Sequence, residues 1–418
     1  MRETCSEGSE SRVKKKTFFR KRADTEEKRE KIRLSGEDFA AQNPYYAAIA
    51  RGYHLAQMTL FSILACFVIL SMLIRSDDIT YENFFYLFKD IHAAVDSADV
   101  SFTTLVYDAD ETQNFATYRG GLAVAGESGL TVFTATGRQT LTQSLNMTAP
   151  QLLTSSRYIL VYEQGGNDFA VYNSFARLHA GQLTGSISCA AISDAGWLAI
   201  ASQGASSSST VFLYDKNLNL KAEYYKNAYT TALALNEQGT LLVIASTDAV
   251  EGTYQTKLTL CRPGTEEVVY EWLIEDFFPL SCTFADDKTL YLTGTDRAMV
   301  LKTDGKITVD MSFDTVIHRA YHCTDGYAIL LADGTLSIYS KEGTLIGQRA
   351  DAADIRSVLV GKNMVHMMTD QSVMTYRIDT GVSTLTTYDF TLQKLLWYAE
   401  DELLVCSRST ARYLNTAH

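Results

Sequence analysis

The sequence predicts an all-β propeller of eight four-stranded blades, with seven as the alternative count, carried behind one membrane-crossing helix. Three observations lead there. An uncharged apolar run of twenty residues lies near the start, the patterning changes after Asp99 to short alternating strands, and comparable strands then recur about every forty residues to the end.

The run is Leu55–Ile74, LAQMTLFSILACFVILSMLI, with Gln57, Thr59, Ser62 and Ser71 as its only polar members. As a helix it spans roughly 30 Å, the thickness of bilayer hydrocarbon. A buried core helix is the competing reading, but no breaker interrupts the run. A cleaved signal peptide fits less well, because the run exceeds a signal's usual core and Leu73-Ile74-Arg75-Ser76-Asp77 offers no small-x-small cleavage site. Cys66 sits mid-run, whereas a lipidated cysteine closes the apolar region. Asn43 and Pro44 supply a cap and a first helical residue. Tyr45, Tyr46 and Tyr53 then fall at interfacial depth, where Arg51 can snorkel toward phosphates.

Charge sets the orientation. Residues 1–52 hold thirteen Lys/Arg against nine Asp/Glu, a net +4, in a chain of net −12, which leaves −16 for residues 75–418. A positive excess before the only span predicts a cytoplasmic N-terminus and an extracytoplasmic C-terminal domain at the plasma membrane. The tail, residues 1–43, is too polar to offset its ordering entropy and is expected to be disordered. Its run Lys14–Arg22, with Phe18 and Phe19 inside it, suits an anionic lipid surface beside an anchor better than nucleic acid. Residues 44–75 form the anchor. Within 76–98, Phe84, Leu87, Phe88, Ile91 and Val95 share one helical face and predict a short amphipathic helix over Thr80–Ala98.

Residues 99–418 form the propeller. The most apolar strand of each unit centres on Leu122, Tyr158, Trp197, Leu241, Leu290, Tyr327, Val365 and Leu403, at spacings of 36 to 49 residues. No unit contains a helical stripe, so these are blades and not a helical solenoid. Tight turns after the third strand are expected at Thr136-Gly137, Asp215-Lys216-Asn217, Thr303-Asp304-Gly305, Lys341-Glu342-Gly343 and Asp379-Thr380-Gly381, all tolerant of positive backbone angles. The final unit supplies only three strands, so Val100–Tyr107 is expected to provide the fourth and close the ring.

The Asp/Gly hairpins, the blade length and the stretch from Ala149-Pro150-Gln151-Leu152-Leu153 through Arg157–Gly166 to Val171-Tyr172-Asn173 resemble the quinoprotein-like propeller superfamily. With its basic tail, single span and short helix, the chain is similar to an uncharacterised family of membrane-anchored, quinoprotein-like (WD40-like) propellers of Gram-positive anaerobes. Against the quinoprotein dehydrogenases it departs: its three tryptophans, Trp197, Trp272 and Trp397, stand in different contexts, and no vicinal cysteine pair is present. The resemblance therefore implies a fold without quinone chemistry.

No catalytic, cofactor-binding or metal-ligating set emerges from the residues. His318 and His322 lie about 13 Å apart if they share a strand, too far for one ion, and with His366 they read as structural. Met364, His366 and Met368 on one strand face read as core. The scattered cysteines read as small buried residues. The acidic exterior argues against nucleic acid.

A non-enzymatic module that displays loops to an envelope or membrane protein is therefore expected, with a ligand sensor or degenerate quinoprotein-like enzyme using the central channel as the alternative. The expected contact loops are Gln164–Asn167, Gln203–Ser209 and Thr247–Gln255, with Gln164, Asn167, Gln203, Ser207, Asp248 and Glu251 as their exposed polar residues.

The orientation is testable by labelling intact cells with an impermeant thiol reagent. A cysteine placed in the Ser206–Ser209 loop is expected to react while Cys5 does not, and the reverse pattern contradicts the assignment.

Overall fold

The computed structural model describes residues 44–74, 85, 104–108, 113–204, 208–265, 267–399 and 402–415. The chain divides into two units, residues 1–92 and 93–418. In the first, α1 spans Pro44–Ile74, and its expected cap Asn43 lies outside the described residues. Its described side chains from Tyr53 to Leu70 are exposed except for the half-buried Ala65. Among the described residues no helix is long and apolar enough to cross a membrane, and the uncharged run Leu55–Ile74 stands as a property of the sequence. The tail and, except for Phe85, the Thr80–Ala98 helix lie outside the described residues.

The second unit is eight antiparallel sheets of four strands each. After β1 (Leu105–Val106), blade 1 comprises β2 (Asn114–Tyr118), β3 (Gly121–Gly126), β4 (Gly129–Phe133) and β5 (Gln139–Gln143). Blade 2 comprises β6 (Pro150–Thr154), β7 (Ile159–Glu163), β8 (Asp168–Tyr172) and β9 (Arg177–Gln182). Blade 3 follows with β10 (Ile187–Ile192), β11 (Leu198–Ser202), β12 (Ser209–Tyr214) and β13 (Leu220–Lys226). Blade 4 has β14 (Tyr229–Leu235), β15 (Leu242–Val250), β16 (Thr253–Cys261) and β17 (Val268–Glu275). Blade 5 has β18 (Pro279–Asp286), β19 (Thr289–Gly294), β20 (Arg297–Lys302) and β21 (Ile307–Ser312). Blade 6 has β22 (Ile317–Cys323), β23 (Gly326–Leu331), β24 (Leu336–Ser340) and β25 (Leu345–Arg349). Blade 7 has β26 (Ser357–Val360), β27 (Met364–Met368), β28 (Ser372–Arg377) and β29 (Ser383–Thr387). Blade 8 has β30 (Leu392–Ala399), β31 (Glu402–Ser407) and β32 (Thr410–Asn415), with β1 as its outermost strand.

Each of the eight recurrent positions read from the sequence lies in a blade's second strand or just before it. These strands are the most apolar because neighbouring blades cover both of their faces, so alternation gives way to continuous burial, as in β3 and β19. Outermost strands lack that cover, and every residue of β29 is exposed. The core is correspondingly divided into eight clusters, each between two adjacent blades. Turns between first and second strands link consecutive blades. The Ser156 amide donates to Asp194 Oδ1 at 2.6 Å, the Ala195 amide to Glu237 O at 3.0 Å, and Asn236 Nδ2 to Asp287 Oδ1 at 2.8 Å.

Of the expected tight turns, Gly137, Gly305, Gly343 and Gly381 take positive φ, as predicted. The Asp215 turn differs, because Leu218 and not Asn217 adopts φ 62°. Asp215 Oδ1 accepts the Asn217 and Asn219 amides at 2.9 and 3.0 Å, and Leu218 packs into the core between blades 2 and 3. Burial there offsets the cost of a left-handed leucine.

The ring closes as expected. Leu105 and Val106 pair antiparallel with Ala411 and Thr410. Tyr107 then fills the seam between blades 8 and 1, its hydroxyl 2.7 Å from Ser407 O and 2.8 Å from Thr410 O. Desolvation by burial pushes that phenol well above its ordinary pKa, so it stays a donor. Leu105 is buried and Val106 exposed. Leu105→Ala is therefore expected to cost about 2–5 kcal/mol, whereas Val106→Ala should stay within about 0.5 kcal/mol. Urea denaturation of the two variants checks the contrast, and equal midpoints would show that the closing strand carries no load.

Candidate interaction face

Hairpins between second and third strands, together with the links from one blade to the next, emerge on one face of the ring. β1 runs toward this face, since Val106 pairs with the first residue of β32 and Leu105 with the second. The chain therefore enters the ring from the opposite rim.

The three expected contact segments turn out to be different objects. In blade 2, Gln164–Asn167 is tied to blade 3: the Gly165 amide donates to Ile187 O at 2.8 Å, and Gly166 O accepts the Ile187 amide at 2.6 Å. Gln164 Nε2 donates to Ser188 O at 3.2 Å, and Asn167 O accepts the Leu183 amide at 2.9 Å. This turn therefore also fastens two blades together.

In blade 3 the Gln203 amide donates to Ser186 O at 3.0 Å. Gln203 lines a cleft of about 340 Å³ together with Gln182, Thr184, Phe212, Glu223 and Tyr225. Ser207 lies outside the described residues.

Blade 4 departs most from expectation. Thr247–Gln255 is a continued ladder and not a polar loop, because β15 and β16 stay paired out to Val250 and Thr253. Glu251 and Gly252, at φ 53° and 88°, make the two-residue turn with both angles positive that matches strand twist. The base of the hairpin is pinned: Thr247 and Thr256 hydroxyls meet at 2.9 Å inside the protein, and Thr256 Oγ1 donates to Phe277 O at 2.6 Å. Beyond it the hairpin carries exposed Asp248, Val250, Glu251 and Tyr254.

Exposed apolar side chains surround that hairpin on the same face. Tyr225 and Tyr229 flank the link from blade 3 to blade 4, and Leu273 and Leu280 flank the next link, at exposures of 66, 58, 61 and 51 %. Exposed Glu223, Asp248, Glu251, Glu275 and Asp276 interleave with them. Large apolar groups gathered within a polar rim mark an interaction surface, whereas scattered ones carry no such meaning. The sequence reading missed these four because it weighed loop length and treated strand ends as structural. The usable signal was a pair of tyrosines, Tyr225 and Tyr229, bracketing the three residues Lys226-Asn227-Ala228.

The enclosed chemistry sits elsewhere. His322 lies against blade 5, 2.9 Å from Thr293 Oγ1, and the fully buried His366 lies against blade 8, 2.9 Å from Thr375 Oγ1 and edge-on to Trp397. His318 is exposed. Desolvation by burial pushes both enclosed imidazoles down to about 4, so they are neutral at pH 7. Burial likewise pushes the Cys189 thiol up to about 12 and Cys261 up to about 11, and raises Cys282 and Cys406. Such thiols are protonated at neutral pH and poorly nucleophilic.

Eight four-stranded antiparallel blades closed into a ring define a β-propeller. The chain belongs to a family of unknown function, DUF5711, whose model matches residues 93–414. No curated protein matches its sequence. Among solved structures it is similar to BamB from Moraxella catarrhalis, with 14 % identity and a TM-score of 0.55, covering 76 % of this chain and 99 % of that one. Sqt1 from Saccharomyces cerevisiae is similar at 10 % identity and a TM-score of 0.59, covering 76 % of this chain and all of that one. The computationally designed Ika8 protein is similar at 13 % identity and a TM-score of 0.57, covering 75 % and 98 %. At such identities the likeness is one of fold.

The buried histidines make a prediction about pH. Their folded pKa values lie below the unfolded value near 6.5, so the unfolded chain binds more protons between the two. Their contribution is fully present above about pH 6.5 and is lost as pH falls toward about 4. The urea midpoint should drop between pH 6.5 and 5, and His366→Gln should flatten that slope by up to about 1.4 kcal/mol per pH unit. Parallel pH profiles for the two proteins would contradict it.

Proposed function

We propose that this protein is a membrane-anchored, non-enzymatic interaction module, whose propeller docks a protein partner through the hairpin and link face of blades 3 to 5. The observation that carries the reading is the exposed apolar group Tyr225, Tyr229, Tyr254, Leu273 and Leu280 around a rigidly based hairpin. Its acidic rim selects a partner that presents apolar residues among basic ones. The neutral, enclosed histidines and protonated thiols support a role without nucleophilic or general-base chemistry.

Anchoring is supported by the uncharged run Leu55–Ile74 within α1 and by the tyrosines at its start. The charge asymmetry supports a plasma-membrane protein with a cytoplasmic tail and an extracytoplasmic propeller facing an envelope or membrane protein.

Replacing Tyr254 and Leu273 by serine removes one exposed apolar side chain of the hairpin and one of the strand paired with it, without touching the buried threonine base. Affinity capture from membranes by the full chain, followed by quantitation of the recovered partner, should fall about tenfold or more for the double variant at unchanged melting temperature. Undiminished recovery sinks the assignment of this face.

A further inference from the structure

The eight innermost strands enclose the axis, and they are nearly free of charge. Among β2, β6, β10, β14, β18, β22, β26 and β30 the only Lys or Arg residues are Arg319 and Lys394, and the only Asp or Glu is Asp286. Asp286 ends β18 at the opposite rim and is paired with Lys341.

Arg319 and Lys394 occupy the same level. Each directly follows a bulge at the start of its innermost strand, between Ile317 and Arg319 and between Leu392 and Lys394. Each pairs with the second-strand residue next to the last, Leu330 of β23 and Cys406 of β31. Both therefore stand at the mouth of the channel on the hairpin and link face, on blades 6 and 8. Arg319 is held in place by donating an Nη1–H to Arg356 O at 2.9 Å. The Arg356 guanidinium is itself committed to Asp370 at 2.9 Å, so it adds no free charge. Among the described residues the Lys394 ammonium has no hydrogen bond or ion pair.

Lys394 is exposed to solvent and yet enclosed: desolvation by the surrounding protein lowers its pKa, and the nearby Arg319 lowers it further. An exposed lysine on an innermost strand, with protein and a second cation acting on it, borders the axis of the ring. With Asp370 committed to Arg356, no carboxylate is bonded to Arg319 or Lys394, and two uncompensated cations are costly until an anion joins them.

We infer that the hairpin-face mouth of the central channel is an oxyanion site, in which Arg319 and Lys394 together hold the carboxylate or phosphate group of a small ligand. The planar guanidinium fork matches two oxygens of either group, and the nearby ammonium adds a point charge. In a chain of net −12 with an acidic rim nearby, this is a local reversal of sign at the axis, and it favours anions over cations at the mouth. The site is independent of the protein-docking surface on blades 3 to 5.

Calorimetric titration of the full chain in neutral detergent with inorganic phosphate and, separately, with citrate tests it, with sodium chloride of matched ionic strength as the blank. Saturable binding of at least one anion is expected, weakened about tenfold or more by Lys394→Met and by Arg319→Gln, but not by Arg262→Gln at an exposed surface pair. Saturation by phosphate alone assigns a phosphate ligand, by citrate alone a carboxylate ligand, and by both the shared chemistry. Without anion, Lys394→Met should melt at or above the wild-type temperature, and added anion should raise the wild-type melt only. No saturable heat from either anion overturns the site, as does equal loss in all three variants. A Lys394→Met melt lowered by the same amount with and without anion would also overturn it, showing that the lysine is structural.

Discussion

Closure of the ring is the constraint on which the rest depends. The propeller has no central core, and its apolar surface is buried in eight seams between neighbouring blades. Seven of those seams join blades that are consecutive in the chain, but the eighth brings residues near 105 against residues near 405. Leu105, Tyr107 and Ala411 fill it, and β1 covers the edge that β32 would otherwise present. Loop-closure entropy makes this the costliest contact to form, and each of the other seams gains rigidity from it.

A closed frame divides the loops into those that fasten blades and those that remain free. The blade 2 turn spends its backbone groups on Ile187, and the turns between first and second strands spend theirs on one another. Blade 4 has a surplus. Its strands outrun the ring by several paired residues, and the Thr247–Thr256–Phe277 hydrogen bonds hold the extension at a fixed angle. A surface built this way loses little conformational entropy on binding, which favours recognition by a preformed patch.

The same frame decides what polar groups can do. Thr293 and Thr375 give His322 and His366 hydroxyl partners, and burial keeps the rings neutral, so these histidines act as packed core residues. Arg319 and Lys394 are placed oppositely, at exposed positions of the innermost strands where no carboxylate is bonded to either. Their shared level comes from two equivalent strand bulges in blades 6 and 8.

Much of the architecture was legible in the residues alone. Period-two patterning with a unit of about forty residues determined the blades and their number, because strand burial imposes that spacing wherever sheets stack around an axis. The one-strand deficit of the last unit, which supplies three of four, determined that an upstream strand must complete it. Turn glycines such as Gly137 and Gly305 declared themselves through their backbone freedom, while Leu218 did not, since its positive φ depends on packing from blade 2 that no local pattern encodes. Only the tertiary structure decided which loops are free. Gln164 and Glu251 look alike as exposed polar residues, yet one faces a neighbouring blade and the other caps a projecting hairpin. It alone brought Arg319 and Lys394, seventy-five residues apart, to one level of one channel. The reason is physical: local sequence sets the strands and turns, but the neighbours of a side chain in a ring belong to other blades, and those are assigned only when the ring shuts.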